Sequence, residues 1–251
     1  MNRRQILLLR IQSFLSWIFY VFIGAPLAWL FIKFFSYKVY HKERLKGLKP
    51  PFILVSNHLT LIDPWFVQCA ITFPGFLRRP WLLVWNLAEQ TNYFRGLLAP
   101  LIWLSRTIPI IREGTLKEIK LSVDKVINIL QNNEAIHIFP EGTRSRSGRI
   151  ENYTTGIGRI YLKVPECTIL PVYIRGIENV LPIGSKFPRL FKKIDVVIGE
   201  PRKLTSQHKG LRARADISKQ IFDILAKMEK EYFESGKYRS KEILAAKEKS
   251  P

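Results

Sequence analysis

The stretch "ILVSNHLTLIDPW", residues 53–65, begins as an apolar, β-branched run, stops at Asn57 and His58, and restarts at Asp63-Pro64. The first part reads as a strand buried on both faces, because only a strand covered by helices above and below is apolar at successive positions. Asp63 followed by Pro64 reads as a helix start, with Asp as N-cap and Pro at the first helical position. Between them the chain presents an imidazole and a carboxylate separated by four residues. Imidazole titrates near neutrality, and a carboxylate that accepts its Nδ1–H sets the tautomer and stabilises the imidazolium.

The same apolar strand pattern recurs in "FILVSN" (52–57), "TIPIIR" (107–112), "AIHIFP" (135–140), "CTILPVYI" (167–174) and "IDVVIGEP" (194–201). Leu116, Ile119, Val123, Val126, Ile127 and Leu130 recur at helical spacing between the second and third of these, and Asn132-Asn133 supplies a stop. This predicts strand–helix–strand crossovers and hence an α/β domain with a mixed, largely parallel sheet flanked by helices. A last amphipathic helix is predicted through Ile217, Ile221, Leu225 and Met228. The expected organisation is a membrane segment at 1–38, one domain at 39–235, and a charged tail at 236–251 that is solvated or frayed.

Composition limits what this domain meets. Forty Lys and Arg against 20 Asp and Glu give a formal charge of +20, which favours nucleic acid, phospholipid headgroups or phosphorylated substrates. Cys69 and Cys167 lie in apolar surroundings without CxxC spacing, so neither a disulfide framework nor a zinc or other metal site is indicated. From Ile11 to Ile32 there is no charged residue, and such a run suffices to cross a hydrocarbon core of ~30 Å. Pro26 beside Gly24 interrupts it, so a single kinked span competes with two short helices dipping into one leaflet. The basic residues on both flanks favour the re-entrant pair, with both flanks on the cytoplasmic face.

Three predicted strands finish in polar groups: His58, Arg112, and the pair Glu141 and Arg144. Ligands of open α/β sheets collect beyond the carboxyl ends of the strands, so these groups are expected to converge. Taken together, "NHLTLID" (57–63) and "FPEGTRS" (139–145) resemble the Asn-His-x4-Asp and Phe-Pro-Glu-Gly-Thr-Arg motifs of the 1-acylglycerol-3-phosphate acyltransferases. "IPIIR" (108–112) is similar to that family's second block, with Arg106 and Thr107 where a Gly is often found, and "ILPV" (169–172) is similar to its fourth.

The resemblance implies a glycerolipid acyltransferase-like fold and transfer of a fatty acyl group from acyl-CoA or acyl carrier protein to the hydroxyl of a lysophospholipid, with 1-acylglycerol 3-phosphate the leading acceptor. It implies His58 as base and Asp63 as its partner, with Asn57, Arg112, Glu141, Gly142, Thr143 and Arg144 at the acceptor site. It calls for no cofactor beyond the acyl donor, no nucleic acid, and membrane lipids as partners, with an inner-membrane location if the source is bacterial. There is no Gly-x-Ser-x-Gly elbow, which favours direct attack by the acceptor over an acyl-enzyme. The alternatives are another lysolipid or lyso-aminolipid as acceptor, a thioesterase that activates water with His58, and a non-catalytic membrane-binding protein.

Overall fold

The computed structural model describes residues 3–90, 99–111, 113–185 and 187–248. Seven strands form one sheet: β1 (Ser36–Tyr40), β2 (Phe52–Ser56), β3 (Trp85–Glu89), β4 (Thr107–Ile110), β5 (Ala135–Ile138), β6 (Thr168–Arg175) and β7 (Lys193–Ile198). Their spatial order is β1-β7-β6-β2-β5-β3-β4, which puts β2, the strand of the 53–65 stretch, at the centre. Strands β6, β2, β5, β3 and β4 run parallel, whereas β7 is antiparallel to β6 and β1 follows β7. The fold is the mixed, largely parallel α/β sheet expected.

All five residues of β2 are buried, and their alternation divides the core into two layers. Ile53 and Val55 pack into a cluster with Val126, Leu130, Ile217 and Leu225, from the helices Leu116–Gln131 and Gly210–Glu234. Phe52 and Leu54 pack on the opposite face with Phe66, Val67 and Ala70 of the helix Asp63–Thr72. A helix layer on each face explains why the sequence of this strand does not alternate. Thr115 caps the helix Leu116–Gln131 through a reciprocal capping box with Glu118, and the helix stops at Asn132, next to a left-handed Asn133.

Two strands escaped the sequence. Both "SYKVY" in β1 and "WNLAE" in β3 are only partly buried and lack an apolar run. The expected boundary at residue 38 falls inside β1, since the apolar helix ends at Phe34 and the sheet begins at Ser36.

The apolar segment forms one continuous helix, not the two dipping helices favoured by its flanking charges. Its α-helical parts Arg3–Phe19 and Ala25–Phe34 are joined through a π-helical turn at Tyr20–Gly24. Pro26 has no N–H and crowds the carbonyl of the preceding turn. Widening that turn to the π spacing, with the Ala25 N–H donating to the Tyr20 carbonyl, accommodates the ring without reversing the chain. The stretch Arg4–Phe34 is long and apolar enough to cross a membrane, and its most apolar window is only 22% buried, unlike a core helix. Two polar side chains tie it to the domain: Gln12 Nε2 donates to the carbonyls of Trp103 and Thr107, each at 3.0 Å, and the Tyr20 hydroxyl to that of Ser105 at 3.3 Å.

The tail expected to be solvated is docked instead. Asp195 on β7 is fully buried and accepts from the Tyr232 hydroxyl at 2.9 Å and from Arg239 Nε at 2.9 Å, while Ile243 of the helix Ser240–Glu248 is buried. A buried carboxylate requires a paired cation, and Arg239 brings the tail in to supply it.

Candidate active site

The five parallel strands end at one edge of the sheet, where the loops after β2 and β5 meet. The Ser145 N–H donates to the His58 carbonyl at 2.8 Å, and the His58 N–H donates to Glu141 Oε1 at 2.7 Å. The two motifs, more than eighty residues apart, are thereby bonded to each other on both sides of His58. The turn that carries Glu141 follows from its residues. Pro140 presets φ, the Gly142 N–H donates back to the Phe139 carbonyl at 3.1 Å, and Gly142 sits at φ +74°, where a side chain would strain the backbone.

His58 Nδ1 lies 2.9 Å from Asp63 Oδ2. Asp63 is completely buried, and its carboxylate also accepts the N–H groups of Leu59 (2.5 Å) and Thr60 (2.9 Å) and the Thr60 hydroxyl (2.6 Å). With every donor aimed at it, the carboxylate stays an acceptor, so Nδ1 carries the proton and Nε2 is left with a lone pair. The Phe139 ring stacks on the imidazole, 3.9 Å between centroids and 16° between planes, which holds the ring's orientation. Beneath Phe139 lies His137, hydrogen-bonded to Ser56 Oγ at 2.8 Å and to Asn86 Oδ1 at 3.3 Å. Burial pushes the His137 imidazole down to about 3, so it stays neutral and adds no charge beside the base.

His58 opens onto a cavity of ~1200 Å³. One wall is apolar and comes largely from the N-terminal helix: Phe19, Tyr20, Ile23 and Leu27 face Leu61, Trp65 and Leu101. The same cavity is also lined by Thr143, Arg144 and Arg146 and by the carboxylates of Glu89 and Glu113. Among the described residues neither Arg144 nor Arg146 has an ion-pair partner. Apolar, cationic and carboxylate side chains thus share one cavity with the His58 imidazole.

The expected site residues divide into groups. His58, Gly142, Thr143 and Arg144 line the cavity, with Asp63 directly behind the imidazole. Asn57 lies behind the site: it is buried, its Nδ2 donates to the Ile174 carbonyl at 2.9 Å and its Oδ1 accepts the Ile174 N–H at 2.8 Å. It extends the β2–β6 pairing by one side-chain rung, and so aims the next residue, His58. Glu141 likewise holds the His58 backbone. Arg112 lies outside the described residues. Two contributions went unread in the sequence, Arg146 and the cavity wall from the apolar helix. The spacing Arg144-x-Arg146 was there to be noticed; the helix wall has no local signal.

Burial is the main reason that the Glu141 carboxyl is pushed up to about 7, with the His58 N–H opposing and the Asp63 carboxylate reinforcing the shift. The folded state therefore holds this proton more tightly than the unfolded chain. The associated stability is fully present below the ordinary value of 4.5 and is lost as pH rises through about 7. Glu141→Gln keeps an acceptor for the His58 N–H and cannot ionise. Its Tm relative to the wild type should move in the variant's favour between about pH 5 and pH 8. A Tm difference that stays constant across this range would show that Glu141 titrates as an ordinary carboxylate.

The family profile described as Acyltransferase matches residues 36–175, more than half of the 251-residue chain. The chain belongs to the acyltransferase family. Among its relatives, Tafazzin of Drosophila melanogaster is 27% identical over 191 residues, 70% of this chain and 48% of that protein. Taffazin of Dictyostelium discoideum is 26% identical over 63% of this chain and 57% of that protein. A chloroplastic 1-acyl-sn-glycerol-3-phosphate acyltransferase of Arabidopsis thaliana is 23% identical over 67% and 44%. The chain spans about half the length of these curated relatives. The crystal structure of the 1-acyl-sn-glycerophosphate (LPA) acyltransferase, PlsC, from Thermotoga maritima aligns with a TM-score of 0.60 at 18% identity, covering 92% of this chain and 97% of that one. Family and fold agree with the resemblance carried by the Asn57–Asp63 and Phe139–Ser145 motifs.

Proposed function

We propose that this acyltransferase moves a fatty acyl group from a thioester, acyl-CoA or acyl carrier protein, to the free hydroxyl of 1-acylglycerol 3-phosphate, giving phosphatidic acid at a membrane surface. The observation that carries this reading is that His58 shares one cavity with apolar side chains of the N-terminal helix and with Arg144 and Arg146. His58 Nε2 takes the hydroxyl proton as the oxygen attacks the thioester carbonyl. The tetrahedral intermediate collapses with cleavage of the carbon–sulfur bond, and the imidazolium returns the proton to the departing thiolate. Atoms balance with no covalent enzyme intermediate and no cofactor beyond the donor. Cys69 and Cys167 are buried and lie outside the cavity, which supports direct attack.

Guanidinium groups suit a phosphate monoester because their planar fork matches two of its oxygens. In this reading the N-terminal helix holds the cavity at the bilayer, and the catalytic domain lies on the cytoplasmic side.

The test is product identification from purified protein offered phosphate-terminated lysolipid, headgroup-bearing lysolipids, a lyso-aminolipid, or water alone. Arg144→Ala should lower kcat/KM for the phosphate-terminated acceptor roughly ten- to hundredfold, the worth of one hydrogen bond to a charged group, and should spare the capped acceptors. An equal loss on every acceptor removes Arg144 from the phosphate, and release of free acid without acceptor identifies a thioesterase.

A further inference from the structure

The loop from residue 181 to 192 joins the helix Ile177–Val180 to β7 and exposes large apolar side chains in sequence: Ile183, Phe187, Leu190 and Phe191. Phe187 is 80% exposed and Phe191 74%, among the most exposed large apolar residues described. Phe191 is also held at φ +60°, a left-handed conformation that is uncommon for a bulky aromatic residue and that the surrounding structure must maintain. Local bonds hold it there: the Phe191 N–H donates to the Phe34 carbonyl at 3.2 Å, and the Arg189 N–H to the Val180 carbonyl at 2.7 Å. The loop is therefore built to present its apolar side chains outward.

Its position suggests what covers it. The Phe191 ring meets the Phe34 ring edge-on at 6.1 Å, so the patch continues the exposed end of the apolar helix, where Trp29, Leu30 and Phe34 also face outward. Ile183, at the other end of the loop, lines the cavity that holds His58. The end of the apolar helix, the loop and the cavity mouth thus lie together at the edge of the sheet where β2 and β6 finish and β7 begins. Arg189 and Lys192 within the loop, and Lys33 at the helix end, add positive charge beside the aromatics. Aromatic rings bordered by cationic side chains match the bilayer interface, where rings sit at headgroup level and the cations meet anionic lipid.

We infer that the side chains of Ile183, Phe187, Leu190 and Phe191 are a second membrane contact, which dips into the interface beside the N-terminal helix and seats the cavity against the lipid surface. The inference rests on the membrane reading proposed above and adds the segment that does the seating. An acidic carrier protein would also meet basic residues, but it would not explain continuity with a helix apolar enough to cross a membrane.

The experiment uses the full chain with single cysteines carrying an environment-sensitive fluorophore. Both native thiols, Cys69 and Cys167, are buried, so an introduced cysteine at an exposed position is the reactive one. Three positions are compared in vesicles of phosphatidylcholine and phosphatidylglycerol containing spin-labelled lipid: Phe22→Cys on the apolar helix, Phe187→Cys on the loop, and Leu211→Cys. Leu211 is as exposed as Phe187, at 80%, but β7 runs antiparallel and delivers it to the opposite edge of the sheet. The label at position 187 should lose most of its emission to the quencher and shift to shorter wavelength, and the label at 211 should not change. Quenching at 22 without quenching at 187 overturns the inference and leaves the membrane reading intact; no quenching at either overturns both. A position-187 label that is shielded by soluble acyl carrier protein and untouched by lipid assigns the patch to the donor instead.

Discussion

His58→Ala leaves a folded protein whose kcat is lower by a factor of about 10²–10⁴, the contribution typical of a positioned general base. The bonds that join the two motifs use the His58 backbone and survive loss of the imidazole. Its Nε2 faces the cavity, and Asp63, its one hydrogen-bond partner, keeps the N–H groups of Leu59 and Thr60 and the Thr60 hydroxyl when the ring is gone. His137, the other imidazole near the site, does not substitute for it, because it is buried below Phe139 with both ring nitrogens engaged. The comparison is kcat at saturating donor and acceptor for variant and wild type, with circular dichroism to establish that both are folded. Turnover near the wild-type level in a folded His58→Ala protein would eliminate base catalysis by this residue.

Asp63→Asn should lower kcat by a factor approaching that of His58→Ala, through a different physical route. The Asp63 carboxylate accepts from four donors: His58 Nδ1–H, the Leu59 N–H, the Thr60 hydroxyl and the Thr60 N–H, which reaches both oxygens. An amide replaces one accepting oxygen by an NH₂ donor. If the NH₂ takes the Oδ1 position it meets the Thr60 hydroxyl, which can accept from it, while the Thr60 N–H keeps Oδ2, and the His58 bond survives without the carboxylate's charge. If it faces His58, the imidazole must turn its Nδ1 lone pair towards it, which puts the proton on Nε2. That tautomer cannot accept the hydroxyl proton. This second arrangement loses the chemistry and also leaves the Leu59 N–H, which the same oxygen accepts, unpaired, at roughly 1–3 kcal/mol. The readouts are kcat and Tm measured together: a large fall in kcat in a variant whose Tm drops only modestly and which is fully folded at the assay temperature supports the tautomer account. A fall in Tm large enough to explain the lost activity would instead make Asp63 a loop anchor. Retention of most of the activity by a stable Asn variant would contradict both.

Much of this protein is written locally in its chain. Apolar runs such as Ile53–Val55, the helical spacing from Leu116 to Leu130 and the Asp63-Pro64 restart depend on interactions within a few residues, and they predicted the strand that lies at the centre, the crossover helix and the helix behind the site. The pairing of His58 with Asp63 was legible for the same reason, since a loop of four residues brings the two side chains together. Whatever depended on distant partners was not legible. β1 and β3 are strands because of the neighbours they pair with, and their own residues carry no apolar run. The tail is ordered because a buried Asp195, more than forty residues earlier, needs the charge of Arg239. The apolar helix was read from composition as a membrane segment, but only packing makes it a wall of the cavity. Asn57 and Glu141 belong to the recognised motifs, yet whether a polar residue touches substrate or braces the backbone behind the base is decided by where its hydrogen-bond partners lie in space. Hydrogen bonds and burial act over a few ångströms, and folding alone determines which residues come within that reach.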